Sequence, residues 1–265
     1  MSVLLDEIRG MQRKSLVPTA QLKAFCGKLS FVAGLLLPVR PFLGMLWAGI
    51  LLPTRRNDEW VSTSRIRVAL GWLRALLEGA HGVLAYEAVF EPMPAPEGTY
   101  IVTDACPFGY GGVQYVDHRP VAWFASCLHK EELRKFRASR GDPAHTTTWE
   151  AVALLVALRM WAPSHRAKLH VRSDSLSSLR SLVNMSGKSD AMGTIAREYA
   201  LDKVLGVYSV AVAVHIPGVA NVVADSISRL WAPEPHEIPE CLREIPRTAV
   251  PLLGPPFWRV RVPTQ

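Results

Sequence analysis

The sequence predicts an α/β domain, a mixed five-stranded sheet flanked by helices and preceded by a small helical segment. Three observations predict it. The apolar period changes from helical to alternating after the Pro-rich stretch 91–97. Three β-rich runs then follow one another and give way to alternating helix and strand, in the order β-β-β-α-β-α-α-β-α. Two of the strands end in an acid, Asp104 in IVTDA and Asp174 in HVRSD.

The helical segment covers 1–90. After Pro18, Leu22, Phe25, Leu29 and Val32 recur at helical spacing within TAQLKAFCGKLSFVAGLLL. PFLGMLWAGILL and SRIRVALGWLRALLEG read as further helices. Phe31 to Leu52 is strongly apolar, but Pro38, Arg40 and Pro41 interrupt it, and the uncharged piece from Pro41 to Thr54 has 14 residues. A membrane span needs about 20. Two buried helices joined at LPVRP fit better, with no membrane partner. This region also carries 11 Lys and Arg against 6 Asp and Glu.

EPMPAPEG marks the boundary, with the linker at 91–97. The next domain spans 98–232. TYIVTDA, GGVQYVD and PVAWFAS suggest an antiparallel meander, with Gly109, Gly111 and Gly112 at its first turn. The helix TTTWEAVALLVALRMWA follows and stops at Pro163. KLHVRSD is a strand, SLSSLRSLVN and AMGTIAREYALDKVLGVY are helices, SVAVAVHIPG is a strand, and ADSISRLW is a closing helix. Segment 233–265 has 8 prolines and balanced charge, which suits an extended tail or linker. Trp123 and Trp149 read as core residues.

Composition excludes several classes. With 265 residues, 49% hydrophobic and 20% charged, the chain is not disordered. Its 4 cysteines form no CxxC pair, which argues against a zinc ribbon or disulfide framework and for a reducing compartment. The N-terminus is charged too early for a secretory signal. Cytoplasm or nucleus is the expected location. A net charge of +7 suits a polyanionic partner without requiring one.

Each candidate acid has a plain structural reading. Asp104 and Asp174 could each cap a turn or helix. Glu150 stands three residues after Thr147, which is capping-box spacing. Asp225 could favour a helix dipole. Together they present strand–Asp, helix–Glu, strand–Asp and helix–Asp, in that order. Like carboxylates repel and raise one another's pKa, and a divalent cation relieves this. Oxygen-only donors suit two Mg²⁺ ions, or Mn²⁺. Such a pair activates water and stabilises a leaving oxygen in phosphodiester hydrolysis.

TDACPFGYGG, TTTWEAVALLVAL, VRSDSLSSL and HIPGVANVVADSISRL, in this order, resemble the motifs of the ribonuclease H domain of retroelement reverse transcriptases. His215, Asn221 and Asp225 have the H-x5-N-x3-D spacing of the family's last motif, closest to gypsy-type and DIRS-type elements. The resemblance covers about 98–232. It implies a metal-dependent endonuclease that cuts the RNA strand of an RNA–DNA hybrid. Asp104, Glu150, Asp174 and Asp225 would be the catalytic metal ligands, and His215 an aid to water delivery or product release. His215 also reads as a polar residue at a strand end, and Asn221 as a shaper of its loop.

The 46-residue gap between Asp104 and Glu150 suggests an insertion containing HKEELRKFRASR. Arg134, Lys135 and Arg137 are candidate substrate contacts there, or lie on a solvated helix face. Asn221 is a further candidate contact. The N-terminal segment is similar to the thumb and connection region of such polymerases, which implies palm and fingers of a parent reverse transcriptase as partners. No YxDD-like motif occurs, so polymerase activity is not expected. Two other readings remain open: a catalytically dead hybrid-binding module, and a transposase- or integrase-like strand transferase.

Overall fold

The computed structural model describes residues 2–51, 59–79, 98–161, 169–208 and 210–260. The 91–97 linker lies outside them. In the N-terminal unit, α1 (Ser2–Gln12), α2 (Thr19–Leu35), α3 (Arg40–Leu51) and α4 (Thr63–Glu78) form the helices. The apolar stretch from Phe31 onward is divided between α2 and α3, with Leu37–Val39 in a 3-10 turn. No described helix is long and apolar enough to cross a membrane. The all-helical expectation needs one correction. Strands β1 (Leu16–Pro18) and β2 (Trp60–Ser62) pair as an antiparallel ribbon. Three residues each are too few to show a period.

The second unit holds the predicted sheet. Strands β3 (Tyr100–Cys106), β4 (Gly109–Val116), β5 (Arg119–Cys127), β6 (Leu169–Ser173) and β7 (Val210–His215) are ordered β5-β4-β3-β6-β7. The first three form the antiparallel meander, and β6 and β7 join in parallel. Asp117 and His118, both at positive φ, close the β4–β5 hairpin. That is the geometry whose twist matches paired strands.

The glycines of the first motif are not in the turn. Cys106 pairs with Gly109, so Pro107 and Phe108 make the turn, and the glycines lie within β4. A Cβ at Gly111 would come within 2.8 Å of the Ile227 side chain. The missing side chain lets α9 (Val222–Ser228) press onto β3 and β4.

Helix α6 (Thr146–Trp161) covers the sheet, and every residue from Ala151 to Leu158 is buried. Its uninterrupted apolar character follows, since it is enclosed by the sheet and by α7 (Leu176–Asn184) and α8 (Asp190–Val204). The predicted order lacks one helix, α5 (Lys130–Phe136). Trp149 is fully buried, and Trp123 is buried with its indole N–H donating to the Ile245 carbonyl at 2.7 Å.

The two units share a core. Met185, Ala200 and Val204 pack with the N-terminal helices. So does Val260, at the end of the Pro-rich segment. Its described part has little regular structure, as its prolines require, but is anchored at several points. Thr248 N–H donates to the Trp123 carbonyl at 2.8 Å, and Leu253, Phe257 and Trp258 enter the main core. A buried ion cluster holds its far end. Arg159 binds Glu198 at 2.7 Å and Asp202 at 2.6 Å, and also donates to the Phe257 carbonyl. The N–H groups of Arg259 and Val260 donate to Glu198.

Candidate active site

The parallel register of β3 and β6 pairs Tyr100 with His170 and Val102 with Arg172. Asp104, within β3, and Asp174, the residue after β6, stand two positions beyond that last pair. Asp104 is 5% exposed, and Asp174 is half-buried. Both lie at the edge where α9 and its preceding loop cross the strand ends.

The side-chain amide of Asn221 joins the two acids. Its Nδ2 donates to Asp104 Oδ1 at 3.3 Å, to Asp174 Oδ1 at 3.1 Å, and to the Thr103 carbonyl at 3.3 Å. Asn221 is 1% exposed, so it does more than shape a loop. Ser228, on α9, donates its hydroxyl to Asp104 Oδ2 at 2.6 Å. The Cys106 thiol in turn donates to the Ser228 carbonyl at 3.1 Å.

Glu150 falls in the second turn of α6 and caps nothing. Its Oε2 is buried and has no hydrogen-bond partner. Burial, then the charges of Asp104 and Asp174, push its pKa up to about 8. For Asp104 the value rises to about 7: burial leads, the Ser228 hydrogen bond opposes it, and Asp174 and Asp225 add repulsion. Mutual repulsion places these carboxylates within one electrostatic neighbourhood.

Asp225 is in the first turn of α9, where its charge also favours the helix dipole. It accepts from Arg229 Nε at 2.7 Å, and His236 Nδ1 lies 4.0 Å from its other oxygen. His215 ends β7 opposite Ser173, and its Nε2 is 3.0 Å from the Asp174 carbonyl oxygen, which accepts. All four predicted acids, with His215 and Asn221, therefore gather at one end of the sheet.

The basic candidates differ from one another. Arg134 and Arg137 are exposed on and after α5. The Lys135 ammonium lies 4.5 Å from the centre of the Trp258 ring, an intramolecular cation–π contact. Helix α5 is itself anchored inward, because buried Glu132 accepts from the Tyr110 hydroxyl at 2.7 Å and from His129 N–H at 2.6 Å.

Sequence reasoning missed Ser228 and Arg229. Both stand in ADSISR, three and four residues after Asp225, and helical spacing alone brings them to the same end of α9. His236 had no signal, because it reaches Asp225 from the Pro-rich segment.

The donor chemistry fits a hard divalent cation. The acids offer only oxygen, Glu150 has an orphaned buried oxygen, and Arg229 is the one cation bonded directly to the acids among the described residues. Among those residues no three His, Cys, Asp or Glu side chains already stand in metal-holding geometry. Asn221 and Ser228 take up oxygens of Asp104 and Asp174, and Arg229 takes up one of Asp225.

Fold and site together define an α/β protein with an acidic cluster at one end of a mixed, ribonuclease H-like sheet. No protein-family model and no curated protein matches the sequence. Among solved structures, the chain is similar to ribonuclease H1 from the halophilic archaeon Halobacterium salinarum, at 19% identity and a TM-score of 0.36, over 49% of this chain and 92% of that one. It is also similar to the foamy viral protease-reverse transcriptase bound to dsDNA, at 14% identity and a TM-score of 0.28, over 71% of this chain and 40% of that one. The same viral protein bound to an RNA/DNA hybrid gives 13% identity and a TM-score of 0.28, over 95% and 30%. The chain thus spans less than half the length of the viral protein. The fold class rests on the strand order and register described above.

Proposed function

We propose that this chain is a ribonuclease H, a metal-dependent endonuclease that hydrolyses the RNA strand of RNA–DNA hybrids within a retroelement reverse transcriptase polyprotein of gypsy or DIRS type. The observation that carries the reading is the bridge of Asn221 between Asp104 and Asp174, with Glu150 electrostatically coupled to both. It joins residues up to 117 apart in sequence into one acidic site.

Asp104, Glu150, Asp174 and Asp225 are the residues that would hold two Mg²⁺ ions, or Mn²⁺. When bound, such ions supply an activated water and charge stabilisation of the departing 3′ oxygen. The chain's own residues prepare the rest. Asn221 and Ser228 fix the rotamers of Asp104 and Asp174. Burial and the neighbouring Asp104 and Asp174 push the Glu150 pKa up to about 8, so its carboxyl would give up a proton on holding a cation. Arg229 holds Asp225 and offsets part of the site's charge. His215, beside the Asp174 backbone carbonyl, stands at the rim, where it would assist water delivery or product release.

Hybrid would be recognised by backbone shape and 2′-hydroxyls rather than by base sequence. Exposed Arg134 and Arg137 suit phosphate contact better than Lys135, which is already over Trp258.

Cleavage of an RNA–DNA hybrid, end-labelled on each strand in turn, tests the reading. The expected result is Mg²⁺-dependent cutting of RNA only, abolished by EDTA and by Asp104→Asn. Binding of hybrid without cleavage would replace it with a binding module. Cutting of duplex DNA would replace it with a strand transferase.

A further inference from the structure

Asn221 grips the acidic cluster through a single atom. Its Nδ2 carries two hydrogens yet faces three oxygens, Asp104 Oδ1 at 3.3 Å, Asp174 Oδ1 at 3.1 Å and the Thr103 carbonyl at 3.3 Å. N–H···O bonds usually measure about 2.9–3.0 Å, so all three are long, and at least one hydrogen is shared. The other end of the amide is loose. Oδ1 is buried and has no hydrogen-bond partner among the described residues. The backbone, by contrast, is pinned. The Asn221 N–H donates to the Gly218 carbonyl at 2.9 Å, and the Asn221 carbonyl accepts from the Asp225 N–H at 2.9 Å. Only the side-chain torsions are left to change.

The two acids are held unequally. Asp104 Oδ2 accepts a short bond of 2.6 Å from the Ser228 hydroxyl. Among the described residues Asn221 is the one hydrogen-bond donor to the Asp174 carboxylate. Asp174 also stands in the connection between β6 and α7 rather than in a strand.

An amide N–H group between two carboxylate oxygens stands where a cation shared by them would stand. Mg²⁺ holds its oxygen ligands at about 2.0–2.1 Å, so both oxygens lie about 1 Å too far from that centre. This accounts for an acidic cluster without ready metal-holding geometry among the described residues. The hydrogens of Nδ2 carry positive charge and cannot face a cation at that place. We propose that Asn221 is the cation's place-holder: its amide bridges Asp104 and Asp174 in the metal-free chain and is displaced when a divalent cation binds both. The proposal rests on the cation-site reading above. It gives Asn221 two opposed effects, relieving carboxylate repulsion in the empty site and competing with the ion for it. Asp104 stays on Ser228 during the exchange, and Asp174 is the acid that moves.

Calorimetric titration of Mn²⁺ and a crystal structure of the Mn²⁺-loaded full chain test this. Asn221→Ala removes the competitor, so Mn²⁺ should bind roughly tenfold more tightly, as expected for one charge-assisted hydrogen bond. In EDTA the variant should unfold at lower urea than the wild type, and saturating Mn²⁺ should narrow that gap. The crystal structure needs no variant. The ion, located by its anomalous scattering, should lie on Asp104 and Asp174, with Asn221 Nδ2 out of hydrogen-bond reach of Asp174 Oδ1. Unchanged or weaker Mn²⁺ binding in Asn221→Ala, or an amide still bonded to both acids beside a bound ion, would overturn the proposal and leave the cation site standing, with Asn221 as its fixed support. Absence of Mn²⁺ binding in the wild type would remove the cation site itself, and the place-holder with it.

Discussion

The Ser228 hydroxyl donates to Oδ2 of Asp104 at 2.6 Å, from a residue 124 positions away. It is the donor that most opposes the effect of burial on Asp104. This bond ties α9 to β3 at the centre of the acidic cluster and fixes one carboxylate oxygen while Asn221 holds the other.

Ser228→Ala should therefore loosen Asp104 without emptying the site. The Mg²⁺ concentration that half-saturates hybrid cleavage is expected to rise about 10- to 100-fold, the usual effect of losing a hydrogen bond behind a metal ligand. Ser228→Thr retains the hydroxyl and should recover most of the loss. Equal half-saturation in wild type and Ser228→Ala would show that Asp104 is held by other groups.

The raised pKa values of Asp104 and Glu150 set a pH dependence with a definite sign. Both lie above their ordinary values of 3.8 and 4.5, at about 7 and about 8. The folded state then binds more protons than the unfolded state between about pH 4 and pH 8. Stability of the metal-free protein should fall as pH rises through that window, by several kcal/mol in total. Urea unfolding in EDTA at pH 5 and pH 8 measures it. Asp104→Asn with Glu150→Gln should flatten the slope and raise stability at pH 8, and Mg²⁺ should restore wild-type stability there.

Much of this site was legible in the sequence, for a physical reason. An aspartate at the end of an apolar run stands out against its neighbours, and Asp104 in β3 and Asp174 just after β6 belong to adjacent parallel strands. Apart from Glu150, the run from Trp149 to Leu158 has no polar residue, because Ala151 to Leu158 are all buried. Contacts that depend on docking stayed hidden. The prolines of 233–260 announce an irregular backbone but not where it lies, so the clamp of Arg159 on Glu198, Asp202 and the Phe257 carbonyl was unreadable. Glu132 looked like part of a solvated face, and its bond to Tyr110 depends on a strand 22 residues earlier.

Arg159 is 8% exposed, and Glu198 and Asp202 are fully buried. Replacing Arg159 with Met removes the one side chain, among the described residues, that hydrogen-bonds both buried acids. Destabilisation of about 3–5 kcal/mol is expected, read as a lower urea midpoint. The double replacement of Arg159 by Met and Glu198 by Gln should recover part of it. No change in midpoint would mean that the cluster is open to water.

Trp258 is 4% exposed, packs edge-on to Phe136, and donates its N–H to the Leu253 carbonyl at 2.8 Å. Trp258→Ala should cost about 3–5 kcal/mol and free the segment after Pro251. Limited proteolysis is expected to cut there in the variant and not in the wild type. Equal resistance would show that the buried ion cluster alone holds the segment.

On the proposed function, Asp104, Glu150, Asp174 and Asp225 act as one cation-binding site. Calorimetric titration of Mn²⁺ into the full chain tests it most directly, without substrate and without reliance on turnover. Saturable binding near neutral pH is expected. Asp104→Asn, Glu150→Gln, Asp174→Asn and Asp225→Asn should each weaken or abolish it, while Arg229→Ala, which releases Asp225, leaves it at least as strong. Wild-type Mn²⁺ binding in all four acid variants, or no binding in the wild type, would contradict the account.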